Sequence, residues 1–84
     1  MNIEEIENFL SKQSFTGDRH VKISFRQRDS IFGIFVKERD YADLKSKNFW
    51  RFVRKSDLQA WEKSKNIDLA KIFNGSEFSR LTVI

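Results

Sequence analysis

Cysteine and proline are absent from these 84 residues, glycine stands only at positions 17, 33 and 75, and histidine only at position 20. Without thiols there is no disulfide framework and no zinc–thiolate centre. A single histidine excludes a two-histidine metal site within one chain. His20 is also the only available partner for a serine–histidine–acid set, and it stands at the start of a strand pattern, on the polar parity shared with Lys22. The dispersed glycines provide no phosphate-cradling loop. Asp40 and Asp43 are close in sequence but lack the spacing of a calcium loop, so a role in stabilising a turn is expected of them. No apolar run approaches the ~20 residues of a membrane-spanning helix. The first turn carries Glu4, Glu5 and Glu7 where a secretory signal would be basic. Taken together, these absences point to a cytoplasmic, non-enzymatic domain with no cofactor, no metal and no membrane partner.

Aromatic residues are abundant: nine Phe, two Trp and one Tyr make up 14% of the chain. A chain of this length forms one domain, residues 1–84, and buries only a little over ~60% of its unfolded surface. Large rings give such a core its density. Formal net charge is +4, a bias that suits a nucleic acid or an acidic protein as partner and also suits simple solubility.

The apolar pattern begins at helical period. Ile3, Ile6, Phe9 and Leu10 share one face, with Asn2 and Glu5 placed as a capping box. The helix is expected to end near Gln13, before a Gly17-Asp18 turn. The period then becomes two. Val21, Ile23 and Phe25 alternate with polar residues, and Ile31 to Val36 is apolar on both faces. If Asp29-Ser30 forms a two-residue hairpin loop, Phe25 faces Ile34 and Ile23 faces Val36. Gly33 in mid-strand marks a bend or a close backbone approach.

Asp40 to Lys47 reads as a loop or single helical turn, and Phe49 to Val53 as a third strand whose buried face the alternation does not select. Ser56 and Gln59 form a second capping-box pattern, opening a short helix to about Lys63 that Leu58 and Trp61 anchor. Leu69 to Phe73 and Arg80 to Ile84 are the last strands, with Asn74-Gly75 as the turn signal between them. The expected fold is mainly β with α: an N-terminal helix, then a small, strongly bent, five-stranded antiparallel barrel with a short helix between strands three and four.

The segment Phe73-Asn74-Gly75-Ser76-Glu77-Phe78-Ser79-Arg80-Leu81 resembles the second sequence motif of Sm-like proteins, which links the last two strands of their barrel. Gly33 and Phe35 fit the first motif of that family. Asp40 stands one place later than that motif's acid, Leu44 stands where its Asn is expected, and Asn74 where a basic residue is expected. Other small SH3-like barrels share this strand pattern. The resemblance implies RNA contacts near Asn74 and Gly75, and ring formation through free strand edges.

The residues themselves add a basic and aromatic stretch of Lys45, Lys47, Trp50, Arg51, Phe52, Arg54 and Lys55, while Lys22, Arg26 and Arg28 continue along the first strand's polar side. Cations bind phosphates without regard to sequence, and exposed rings stack on bases. The expected ligand is therefore RNA or another single-stranded nucleic acid, held by Lys45, Lys47, Arg51, Arg54, Lys55, Asn74 and Gly75. The competing reading places Trp50 and Phe52 in the core. A second function class is assembly with itself or another protein, because the apolar end Thr82-Val83-Ile84 is an unblunted edge.

Overall fold

The computed structural model describes residues 1–13 and 20–84. The Gly17-Asp18 turn lies outside the described residues. In chain order the elements are α1 (Ile3–Gln13), β1 (Val21–Phe25), β2 (Ile31–Phe35), α2 (Tyr41–Ser46), β3 (Phe49–Arg54), α3 (Leu58–Ser64), β4 (Lys71–Asn74) and β5 (Phe78–Val83). Short 3-10 turns cover Lys55–Asp57, Ile67–Leu69 and Gly75–Glu77. The strands form a five-stranded antiparallel sheet in the order β4-β3-β2-β1-β5. Among the described residues no helix is long and apolar enough to cross a membrane.

Helix α1 starts as its capping box dictates. The Asn2 side chain accepts from the Glu5 amide at 2.8 Å, and the Glu5 side chain accepts from the Asn2 amide at 2.9 Å. Two orphan donors of the first turn are thereby satisfied. Ile6 and Leu10 then pack on the inner face of the sheet, against Val21, Ile23, Phe25, Phe35, Trp50, Phe52, Phe78 and Leu81. Edge-to-face rings fill this core, among them Phe35–Phe52 at 5.0 Å and Phe25–Phe78 at 5.5 Å between centroids. Phe25 of β1 also lies 6.1 Å from Phe73 of β4, so rings bridge the curl of the sheet. The described ladders leave β4 and β5 as its two edges.

The outer face has a smaller core of its own. Ile34 and Val53 are covered by Trp61 of α3 and by Ala70, with Val36, Leu58 and Leu69 around them. Burial on both faces explains why β2 is apolar at odd and even positions alike, and why Phe52 and Val53 are buried in succession. It also resolves the β3 ambiguity: Trp50 and Phe52 face inward, and Val53 faces the α3 layer.

Four local expectations need correction. The β1–β2 register pairs Val21 with Gly33, Lys22 with Phe32 and Ile23 with Ile31, not Phe25 with Ile34 and Ile23 with Val36. The connection is therefore Arg26 to Ser30 rather than a two-residue loop. Parity failed as a guide because both faces of β2 are apolar, so an odd shift in register still sets Ile23 opposite an apolar residue, Ile31, and leaves Phe32 opposite Lys22 on the other face. Gly33 meets the expected close approach on its other side, against β3: a Cβ there would sit 1.9 Å from the Val53 carbonyl oxygen and 2.9 Å from the Arg54 Cα. The helix expected at Ser56 starts as a 3-10 turn, and α3 follows at Leu58 with Asp57 before it and no side-chain cap. Strand four begins at Lys71, after a 3-10 turn capped by Asn66, whose Oδ1 accepts from the Asp68 amide at 3.0 Å. Finally, Asn74-Gly75 does not form a positive-φ hairpin: Asn74, at φ −83°, caps a 3-10 turn. Gly75 is needed for space, since a Cβ would meet Asn48 Oδ1 at 2.3 Å and the Ile6 Cδ1 at 2.5 Å.

Asn48 joins these parts. At φ 63° it is in the left-handed region just after α2. Its Oδ1 accepts from the Trp50 indole at 2.8 Å, its Nδ2 donates to the Met1 carbonyl at 3.1 Å, and its own carbonyl accepts from the Gly75 amide at 2.8 Å. The Met1 ammonium donates to the Gly75 and Phe78 carbonyls, which fastens α1 to the β4–β5 turn.

Candidate functional site

Of the basic residues expected to form one surface, several are engaged within the fold. Arg51 forks onto Asp40, with Nη2 2.8 Å from Oδ2, and its Nη1 donates to the Ala70 carbonyl at 2.7 Å. That contact holds the Asp40 carboxyl below the usual carboxylate range and raises the Arg51 guanidinium further. Lys45 is paired with Glu7 of α1, whose hydrogen bond raises the ammonium above its ordinary value. Tyr41, beside it, is pushed up by burial. Lys47 lies 3.8 Å from Asp43, an exposed pair of little energetic weight. Arg54 ends β3 opposite Gly33, with its Nε buried and without a hydrogen-bond partner among the described residues. Asn74 Oδ1 accepts from the Ser76 amide and hydroxyl, and Gly75 is buried beneath Asn48. Of the charged members of the set, only Lys55 is exposed and without an ion pair among the described residues. Trp50, Phe52 and Trp61 are all core.

A different surface brings an exposed ring together with charge. On the outer face α3 covers Ile34 and Val53 but leaves the β5–β1–β2 part open. There Thr82, Lys22 and Phe32 form a cross-strand row, and Arg80 lies opposite Ser24 in the next row. Phe32 is 45% exposed, although it stands in a strand between two that pair with it. β3 ends in register with Gly33, so Lys55 leaves the sheet beside the Phe32 end of β2, where the 55–57 turn contacts that strand. Lys22, Lys55 and Arg80 have no ion-pair partner among the described residues. Sequence reading missed Phe32 because the wrong register gave it no place on an open face. Arg80, expected to open the last strand, stands third in β5, which begins at Phe78, and so lies opposite Ser24.

At the same end of the sheet, a cleft of about 270 Å³ opens between the β1–β2 connection and the 75–77 turn. Phe25, Arg26, Gln27, Arg28, Ser76 and Glu77 line it. The Arg26 amide donates to the Glu77 carbonyl at 3.1 Å and ties the two walls together. The Arg28 guanidinium lies 4.8 Å from the Phe25 ring centroid and 6.0 Å from that of Phe73. Arg26 and Arg28 therefore do not continue the polar side of β1 with Lys22. They belong to the connection.

Among the described residues no group of three His, Cys, Asp or Glu side chains could hold a metal ion. The Sm-like resemblance rests on the motif residues and the element order. Compared with protein-family models, curated proteins and solved structures, the chain matches none of them.

Proposed function

We propose that the domain is a non-enzymatic binding module that takes single-stranded nucleic acid, RNA above all, on the open part of its outer face. Phe32 supplies the stacking ring, and Lys22, Lys55 and Arg80 supply phosphate contacts. The observation that carries this reading is the exposure of Phe32 directly opposite Lys22, on a strand that is paired on both sides. A phenyl ring left in water costs stability that burial would recover, and flanking cations without carboxylate partners favour an anionic ligand. Stacking is sequence-tolerant and cation–phosphate attraction is general, so the expected mode is broad rather than sequence-reading.

Fluorescence anisotropy with labelled mixed-sequence oligonucleotides tests this directly. Affinity should fall with a log–log salt slope of about −2 for three phosphate contacts at ~0.7 each. Phe32→Ala should weaken binding roughly 5–150-fold, equivalent to ~1–3 kcal/mol for one stacked base, and leave the melting temperature nearly unchanged. Absence of binding at low salt would refute the proposal.

A second reading, self-assembly, is favoured by the two free sheet edges and by the exposure of Ile72 on β4 (47%) and Ile84 beyond β5 (66%). Light scattering that finds only monomer at high concentration would remove it.

A further inference from the structure

Resting on that nucleic-acid reading, we infer that the cleft between Arg26–Arg28 and the 75–77 turn is a base-selective subsite that takes a splayed cytosine in preference to uracil. Its chemistry is mixed, and the mixture is what selects the ligand. Two arginines, Arg26 and Arg28, line it from the β1–β2 connection, and Glu77 lines it from the 75–77 turn. A bare phosphate would meet that carboxylate unfavourably. A nucleobase has both donors and acceptors on one edge and can use both signs of charge.

The Arg28 guanidinium carbon lies 4.8 Å from the Phe25 ring centroid and 6.0 Å from that of Phe73, so the rings support it from one side. Its outer surface is a platform of the kind on which unstacked bases lie. Glu77 is exposed and has no ion pair or side-chain hydrogen bond among the described residues, so its carboxylate is available as an acceptor. A carboxylate accepts from the exocyclic amino group of cytosine. Uracil has a carbonyl at that position and would set oxygen against oxygen. Arg26 lies within the same cleft, tied by its amide to Glu77, and can donate to a ring carbonyl or to the adjoining phosphate. The connection that forms one wall of the cleft follows directly on β1, which carries Lys22 on the proposed stacking surface. Ser24 faces Arg80 across β1–β5, and its hydroxyl is 3.5 Å from that of Ser30 at the end of the connection. From Lys22 to Arg26 the chain covers about 13 Å at ~3.3 Å per residue, so one strand can engage both places.

The experiment compares oligocytidylate and oligouridylate of equal length on the full chain by fluorescence anisotropy, with the wild type, Glu77→Gln and Arg28→Ala. The wild type should bind oligocytidylate about tenfold tighter, the size of one good edge contact. Glu77→Gln should bring the two affinities together, because an amide can turn either its oxygen or its amino group toward the base. Arg28→Ala should also lose the preference through loss of the platform, and circular dichroism checks that each variant is folded. Equal wild-type affinities, with binding still dependent on Phe32, would overturn the subsite and leave the outer-face reading intact. A preference that survives Glu77→Gln would overturn the role of Glu77. No binding of either oligonucleotide would overturn both.

Discussion

Asn48 makes a sharp energetic prediction, because one residue serves the backbone, the core and the N-terminus together. Asn48→Gly keeps the left-handed backbone and removes only the side chain. It leaves the Nε1 of Trp50, a residue only 2% exposed, without its acceptor, and the Met1 carbonyl without its donor. A buried donor left unpaired costs about 1–3 kcal/mol, and an ordinary hydrogen bond contributes about 1 kcal/mol. The expected loss is therefore about 2–4 kcal/mol. Asn48→Ala suffers the same losses and keeps a Cβ at φ 63°, which glycine relieves; that conformation costs roughly 1–2 kcal/mol for a residue without asparagine's local side-chain hydrogen bonds. Part of that difference is offset by the greater unfolded-state freedom of glycine, about 0.4–1 kcal/mol. Alanine should thus be the worse substitution by about 1 kcal/mol. A domain of this size has roughly 4–13 kcal/mol in total, so either variant consumes a large share. Urea unfolding followed by tryptophan fluorescence measures it: at a slope of ~1–1.5 kcal/mol/M, a loss of 3 kcal/mol moves the midpoint down by about 2–3 M. A loss below about 1 kcal/mol in both variants, or glycine as damaging as alanine, would refute the reasoning.

Gly33→Ala should cost about 3 kcal/mol, the upper part of the usual overpacking range, because the obstacle is the Val53 carbonyl and not a movable side chain; a thermal melt should show a fall of roughly 12–24 °C. Trp61→Ala should cost about 3–5 kcal/mol by opening the outer core around Ile34 and Val53, as read by denaturant midpoint. Asp40→Asn should cost about 1 kcal/mol at neutral pH, since the pair with Arg51 is partly solvated. Asp40 has its folded-state pKa depressed by Arg51, so its contribution is present above the unfolded value of about 3.9 and is lost as pH falls through the lower folded value. The difference between wild type and Asp40→Asn should therefore shrink toward zero in acid, as followed by melting temperature against pH.

Local signals were legible where one short segment decided the outcome. The Asn2–Glu5 box, the amphipathic α1 and the alternation of Val21, Ile23 and Phe25 are set by residues within a turn or two of each other, and each stands as expected. The glycine in mid-strand announced a close approach, although not which backbone would come near. Composition gives the positive charge and the rings, but not which of them the fold leaves exposed. Lys45 and Arg51 look free in sequence, yet Glu7 and Asp40 answer them from distant or separate segments.

The sequence by itself determined the order of elements, the aromatic core and the absence of thiol chemistry, because these depend on residue type and on periods of two and 3.6. Only the tertiary structure decided the β1–β2 register, the placing of a second core beneath α3, and the exposure of Phe32. Those depend on which of two apolar faces each strand turns to which layer. Nothing within β2 distinguishes Phe32 from Ile34 until α3 covers one and leaves the other in water.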